Sequence, residues 1–295
     1  MTLARATFAV ENYDLAATLA SGQAFRWRRA GAQWEGVVGS RWVRLRQEND
    51  GIHAEAAAPL GDWQWLRHYL QTEVVLRQIL ATFPDDAPMR ASVAACRGLR
   101  LLRQEPWECL ASFICSSNKQ IVQIQQMVAL LSRRYGEPLP VPPGADPAWS
   151  FPTVQRLAAA SQAELRESKL GFRAPFLCQT ARKVAAGEVD LARLAEMPLE
   201  EARACLLALP GVGIKIADCV LLFAGGFQEA FPVDVWIIKA LRELYFPRRR
   251  PKLPRLRQFS RSHFGPYAGY AQQYLFHYMR TKGPAAPPSK AGPAF

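Results

Sequence analysis

Between Gly22 and about Glu55 the chain alternates with a period of two. In Phe25-Arg26-Trp27-Arg28 and Val43-Arg44-Leu45-Arg46, every second residue is apolar and the others are cationic. The alternation predicts a small antiparallel sheet with aromatic and aliphatic side chains on one face and arginines on the other. Gly31 and Asn49-Asp50-Gly51 supply the turn chemistry, the latter a hairpin signal. Beyond Pro59 the period lengthens. Asp62 can cap a helix that places Trp63, Leu66 and Leu70 on one face, and a second helix follows over Val74 to Phe83. From Pro88 onward only helical spacing remains, over residues 88–96, 106–115, 119–135, 161–170, 173–186, 198–208, 213–225, 233–244, 252–263 and 267–279. Pro138 to Pro147 reads as a loop, and the Pro- and Ala-rich segment after Arg280 has so little to bury that disorder is expected. The layout is an N-terminal α+β domain over residues 1–100, a helical domain over 101–280 and a tail over 281–295. There is no internal repeat.

Composition adds a partner to this outline. The 295 residues carry a net charge of +12, and such a surplus attracts polyanions, nucleic acid or anionic membrane, of which nucleic acid is the preferred reading. No run of about 18 apolar residues marks a membrane span, and the N-terminus lacks a signal-peptide pattern, so an intracellular protein is expected. Cys96, Cys109, Cys115, Cys178, Cys205 and Cys219 form no C-x-x-C pair, and the four histidines are scattered. No zinc or iron–sulfur ligand set is visible, and the thiols read as reduced and mostly buried.

Candidate chemistry concentrates between Leu209 and Lys239. Leu209-Pro210-Gly211-Val212-Gly213 separates two helical stretches, and its glycines can present bare N–H groups at a helix N-terminus, where phosphate binds. A tight connection without a ligand would look the same. Lys215 follows in the first helical turn, where the positive dipole end disfavours an ammonium. An amine neutralised there can act as a nucleophile; the position also suits a solvated lysine or one touching phosphate. Cys219, four residues on, shares its face, as a buried small hydrophobe or as part of the same pocket wall. Asp234, after Pro232-Val233, has the position of a helix N-cap, and an ionised cap can also stabilise a cation across a cleft.

Hairpin, lysine and Pro-Val-Asp at this spacing resemble the helix-hairpin-helix DNA glycosylases, whose lysine marks the members that also nick the strand. Further motifs narrow the resemblance: Ser21-Gly22-Gln23-Ala24-Phe25-Arg26-Trp27, Leu101-Leu102-Arg103-Gln104, Phe113-Ile114-Cys115-Ser116-Ser117-Asn118, Leu170-Gly171-Phe172-Arg173-Ala174 and Gly265-Pro266-Tyr267-Ala268-Gly269-Tyr270-Ala271-Gln272. In this order they are similar to 8-oxoguanine DNA glycosylases of the type found in animals and some bacteria, over about residues 8–280.

The resemblance implies an α+β chain, a TBP-like antiparallel sheet with helices followed by an all-α helix-hairpin-helix domain, acting as a monomer on double-stranded DNA containing 8-oxoguanine. A glycosylase must first take the damaged nucleotide out of the stack. Asn118 would then contact the orphaned cytosine, Phe172 would wedge beside it and Arg173 would help read its edge, although Phe172 alone could be a core residue. The Gly22 carbonyl would detect the N7 hydrogen that distinguishes the oxidised base, Gln272 would bond its Watson–Crick edge, and Phe276 and Cys219 would stack on its two faces. Without the resemblance Phe276 reads as core. Lys215 would attack C1′, Asp234 would stabilise the developing cationic charge, and a Schiff base would permit β-elimination. Gly211, Val212, Gly213 and Trp236 would lie along the DNA backbone. No redox or metal cofactor is implied for the chemistry, while hairpin carbonyls would hold a monovalent cation against a phosphate. The chain departs from the animal pattern at Lys119-Gln120, at Gln123 and at Trp236, where the family carries Asn-Asn, an arginine and a histidine, which relaxes the expected preference for opposite cytosine. Two alternatives stay open: the same scaffold acting on another damaged base, and a non-catalytic DNA-binding module that uses the hairpin only for phosphate.

Overall fold

The computed structural model of the chain describes residues 2–57 and 61–281. Strands β1 (Leu3–Phe8), β2 (Arg28–Ala30), β3 (Gln33–Val38), β4 (Arg41–Glu48) and β5 (Gly51–Ala57) form one antiparallel sheet in the order β1-β5-β4-β3-β2. In β4 the alternation behaves as expected. Val43 and Leu45 are fully buried, and Arg44 on the other face reaches Glu35 at 2.8 Å and Glu55 at 3.2 Å. Glu48 pairs with Gly51, so Asn49-Asp50 is the two-residue loop of a tight hairpin. Two features of the sheet differ from the expectation. Strand β1 lies outside the region of alternation, because Leu-Ala-Arg-Ala-Thr-Phe buries only Phe8. Phe25 and Trp27 are buried as expected, but they precede β2.

The helices are α1 (Leu15–Ala20), α2 (Gln64–Leu70), α3 (Leu76–Leu80), α4 (Ala87–Ala95), α5 (Pro106–Cys115), α6 (Ile121–Tyr135), α7 (Val154–Ala159), α8 (Gln162–Glu167), α9 (Ala174–Ala185), α10 (Leu199–Leu207), α11 (Ile214–Val220), α12 (Val235–Ala240), α13 (Leu253–His263) and α14 (Ala268–Thr281). Each predicted helical stretch contains one of them. The short α1 and α7 fall outside those stretches, each being a six-residue helix started by a side-chain cap, Asp14 for α1 and Thr153 for α7. The stretches expected as single helices over 213–225 and 233–244 each change to a π turn, at Leu221–Gly225 and Leu241–Tyr245. The first ends at Gly226, which takes a left-handed φ of 83° beside the Arg103 guanidinium. Inside the expected Pro-rich loop, Pro138–Leu139 and Ala148–Trp149 form a two-residue ladder, β6 with β7.

Two cores result. One packs the sheet against α1 and α2 and includes Phe8, Leu45, Ile52, Leu66 and Leu70. The larger one is helical, and it takes in Leu76, Ile79, Met89 and Cys96, so α3 and α4 pack with the helical part although they fall within residues 1–100. The cores meet at a buried hydrogen-bonded node. Gln23 Nε2 donates to the carbonyls of Thr18 at 2.9 Å and Arg100 at 2.8 Å, and its Oε1 accepts from the Leu102 amide at 2.7 Å. Gln104 Nε2 donates to the Gln23 carbonyl at 2.6 Å, while the Gln104 amide donates to the Phe223 carbonyl at 2.8 Å. Neutral polar side chains buried with their partners specify one geometry, because removing either partner strands the other. This node fixes the loop carrying Gly22. Thr281 is the last residue of α14, and the rest of the expected tail lies outside the described residues.

Candidate active site

The hairpin joins α10 to α11 through Ala208–Gly213. Gly211 has φ 77°, and a Cβ there would meet Phe176 Cβ at 2.6 Å, so this corner admits only glycine. The Val212 amide donates to the Leu209 carbonyl at 3.2 Å and Thr180 Oγ1 donates to the Pro210 carbonyl at 2.9 Å, which anchors the turn to α9. Behind it, Arg203 Nε donates to Asp218 Oδ1 at 2.8 Å, clamping α10 to α11 with a buried ion pair. Gly211 and Gly213 remain at the surface, at the start of α11.

Lys215, in the first turn of α11, turns toward α5. Its Nζ donates to Ser116 Oγ at 3.0 Å and lies 5.0 Å from the centre of the Phe113 ring. Ser116 in turn donates to the Phe113 carbonyl at 2.7 Å, so its oxygen is oriented to receive the lysine. Asp234 is the N-cap of α12, as expected, and its Oδ1 accepts from the Ile237 amide at 2.8 Å. Burial pushes the Asp234 carboxyl above its ordinary value, opposed by the Ile237 amide, Lys215, the Trp236 amide and Arg280. Lys215 thus supports the Asp234 carboxylate through space while each keeps its own hydrogen-bond partner. Cys219, one turn after Lys215, is buried, and burial drives its thiol up to about 12 although Lys215 opposes the rise. A neutral, soft thiol is suited to line an apolar wall.

Gly22 has φ 77° and faces α6 and α14: a Cβ there would stand 2.4 Å from Ile121 Cδ1 and 3.4 Å from Arg280 Nη1. Gln273 Nε2 donates to the Ser21 carbonyl at 2.9 Å, which ties α14 directly to the Gly22 loop. Gln272, beside it, is buried, and its Oε1 accepts no hydrogen bond from the described residues. Phe276 follows one turn later and is half-buried, with the Arg280 guanidinium 5.4 Å from its ring centre. A cleft of about 850 Å³ between the sheet and α6 includes Gly22 and Ile121 but neither Lys215 nor Asp234. Size alone therefore does not mark the reacting groups; the converging polar atoms do.

On the surface near the α5–α6 turn, Asn118 is exposed with a left-handed φ of 53°. Phe172 is 56% exposed. Arg173 is a correction to the sequence expectation. It is only 3% exposed, and its guanidinium is occupied: Nε donates to the Ser117 carbonyl at 3.0 Å, Nη2 also contacts that oxygen, and Nη1 donates to the Leu170 carbonyl at 3.3 Å. The same group lies 4.1 Å from the Phe172 ring centre. Arg173 thus braces the Asn118 turn and supports Phe172 from below, and its side chain is not presented for reading a base. Gln123 also has a local duty, its Oε1 accepting from the Gln120 amide at 3.2 Å to cap α6. Trp236 is 37% exposed beside Asp234. Ser116 and Arg280 join the site without having been expected there. Ser116 lies within the Phe113–Asn118 motif, and Arg280 is signalled by its spacing, since Gln272, Phe276 and Arg280 recur every four residues.

The chain as a whole is similar to known proteins. Residues 5–110 match the 8-oxoguanine DNA glycosylase N-terminal domain, and residues 111–263 match the HhH-GPD superfamily of base excision DNA repair proteins. The chain is similar to N-glycosylase/DNA lyase OGG1 of Arabidopsis thaliana, 36% identical over 277 residues that cover 88% of this chain and 75% of that protein. Among solved structures it resembles MBOgg1 in complex with a low-affinity DNA ligand, at 31% identity and TM-score 0.89, covering 96% of this chain and 97% of that one. It also resembles the Clostridium acetobutylicum 8-oxoguanine glycosylase/lyase bound to double-stranded DNA with cytosine opposite 8-oxoguanine, at 29% identity and TM-score 0.87, covering 96% and 98%. An N-terminal antiparallel sheet, a lysine on the hairpin helix facing a capping aspartate, and a match along nearly the whole chain lead to one assignment: this chain belongs to the 8-oxoguanine DNA glycosylase family of the helix-hairpin-helix base excision repair superfamily.

Proposed function

We propose that the chain is a bifunctional glycosylase and lyase that excises 8-oxoguanine from duplex DNA. The observation that carries this reading is the convergence of Lys215, Asp234 and the unpartnered Gln272 acceptor around Gly22 and Phe276, groups from both ends of the chain. The base enters between Phe276 and Cys219, the Gly22 carbonyl accepts its N7 hydrogen, and Gln272 bonds its Watson–Crick edge. Guanine, with a lone pair at N7, would face a carbonyl lone pair and be rejected.

Lys215 releases Ser116 and attacks C1′ as the glycosidic bond breaks, and Asp234 stabilises the cationic sugar and the ammonium that forms. The C1′–O4′ bond of the resulting aminal opens to give a Schiff base, which acidifies C2′, so loss of a C2′ proton expels the 3′ phosphate and nicks the strand. Each step is carried by the chain's own side chains. Asn118 and Phe172 fill the vacated stack, and Gly211, Gly213 and Trp236 line the DNA backbone while Val212, expected beside them, is buried under the turn, with a net charge of +12 favouring the duplex. A monovalent cation would bridge the hairpin to a phosphate. The Leu209 and Pro210 carbonyls fit that part, since the one hydrogen bond described for each leaves a lone pair. The enzyme works as an intracellular monomer.

The opposite base is read loosely, because Gln123 is engaged in capping α6 and Arg173 is engaged with Ser117. Duplexes carrying 8-oxoguanine opposite each of the four bases test the reading. Excision in the cytosine context with weak discrimination among the others is expected, and no excision in any context would overturn it.

A further inference from the structure

The reacting centre leaves one charged group without work. Gln272, Phe276 and Arg280 stand at successive four-residue steps on α14 and so form one stripe. Helix α14 packs on the Gly22 loop, where Gln273 bonds Ser21, and from the stripe Arg280 Nη1 comes within 3.4 Å of the point where a Gly22 side chain would begin. An arginine in the last turn of a helix ordinarily extends into solvent near the negative dipole end. Arg280 instead lies over Phe276, partly buried, with its guanidinium 5.4 Å from the ring centre. Among the described residues no carboxylate sits within ion-pair distance of it. Its desolvation is offset only by the more distant charge of Asp234.

Resting on the reading of this pocket as the lesion site, we propose that Arg280 is its cationic wall and stabilises the negative charge that accumulates on the departing purine. In the first step the Lys215 nitrogen lone pair forms the bond to C1′, the C1′–N bond breaks, and its electron pair leaves with the purine as an anion. The alkylated nitrogen becomes a cation and then loses a proton, which neutralises the purine directly or through water. A fixed guanidinium in a partly dry pocket acts on that anion at the moment it develops. Asp234 faces the sugar and has the opposite sign, so the two charges divide the work: the carboxylate supports the cationic sugar and Arg280 the anionic base. Strand nicking at an abasic site expels no purine and has no use for Arg280.

The test compares two substrates under single-turnover conditions: a duplex with 8-oxoguanine opposite cytosine, and the same duplex with a preformed abasic site at that position. The readout is the ratio of base release to abasic-site nicking. Arg280→Met is expected to lower this ratio at least about tenfold, and Arg280→Lys, which keeps a cation, to restore most of it. Both rates falling together, so that the ratio holds, would overturn the inference, since a structural role or a role through Asp234 affects both substrates. An unchanged ratio with unchanged rates would overturn it equally. Should Arg280→Met not fold, Arg280→Gln supplies the same comparison. Absence of base release by the wild-type protein would refute the assigned activity itself, whereas wild-type release matched by Arg280→Met refutes only the role of Arg280.

Discussion

Gly22→Ala separates backbone strain from substrate recognition. Gly22 has φ 77°, a conformation that costs a residue with a Cβ roughly 1–2 kcal/mol. The new methyl would also stand 2.4 Å from Ile121 Cδ1, the mobile end of a flexible side chain that can swing away at small further cost. Gly31, at φ 62° with nothing within 4 Å of its Cβ position, provides the control, because alanine there meets the same strain and no obstruction. Both variants are therefore expected to lose about 1–2 kcal/mol, seen as a midpoint lowered by a few degrees in thermal unfolding. Excision should diverge. Gly31→Ala, on the far β2–β3 turn, should excise 8-oxoguanine at the wild-type rate, whereas Gly22→Ala places a methyl and a displaced Ile121 where the base must approach a carbonyl. A loss of about 100-fold or more in single-turnover excision is expected, the scale on which a site built around a hydrogen bond rejects what cannot make it. If Gly22→Ala and Gly31→Ala are equally active while equally destabilised, the Gly22 carbonyl is not the sensor.

Two further substitutions probe the centre and its support. Asp234→Asn keeps an oxygen for the Ile237 amide, so stability should change by no more than about 0.5 kcal/mol in urea denaturation, while excision falls at least about 100-fold because the charge is gone; equal losses of stability and activity would reduce Asp234 to a cap. Arg203→Met leaves Asp218 buried without its partner and should cost about 3–5 kcal/mol at neutral pH. Burial already raises the Asp218 carboxyl above its ordinary value, and removing Arg203 raises it further, so the folded variant binds the proton more tightly than the unfolded chain. Its stability must then fall as pH rises through the raised value, and the deficit against wild type should shrink on acidification toward the carboxylate range. A deficit independent of pH in thermal unfolding would mean that lost packing, not the stranded charge, sets the cost.

Elements with strong periodicity are legible in the sequence itself. Strand β4, the tight hairpin at Asn49-Asp50 and the long helices follow from which residues must avoid water, and the cap at Asp234 follows from local chemistry. Elements whose formation depends on distant partners are not. Strand β1 has one buried side chain and exists because β5 offers its edge; the π turns after α11 and α12 continue the apolar helical spacing and leave no mark in it. The same division applies to the site. Residues next to each other in sequence, such as Gly211, Gly213 and Lys215, can be grouped from spacing. Ser116 reaches Lys215 across 99 positions and Gln273 reaches Ser21 across 252, distances over which sequence carries no geometric signal. Arg173 illustrates the converse. An arginine beside an exposed aromatic reads as a surface group, yet two carbonyls of the neighbouring turns need donors, and satisfying them takes the guanidinium inward.

A nucleophilic Lys215 must pass through a covalent bond to the sugar. Incubating the wild-type protein with a duplex containing 8-oxoguanine in the presence of borohydride should reduce the Schiff base to a stable protein–DNA adduct, and peptide mass mapping should place the linkage on Lys215. Lys215→Gln should give no adduct and no excision while still binding the lesion duplex, as folded protein with a normal unfolding transition. An adduct mapped to another residue, or excision that persists in Lys215→Gln, would exclude Lys215 as the nucleophile.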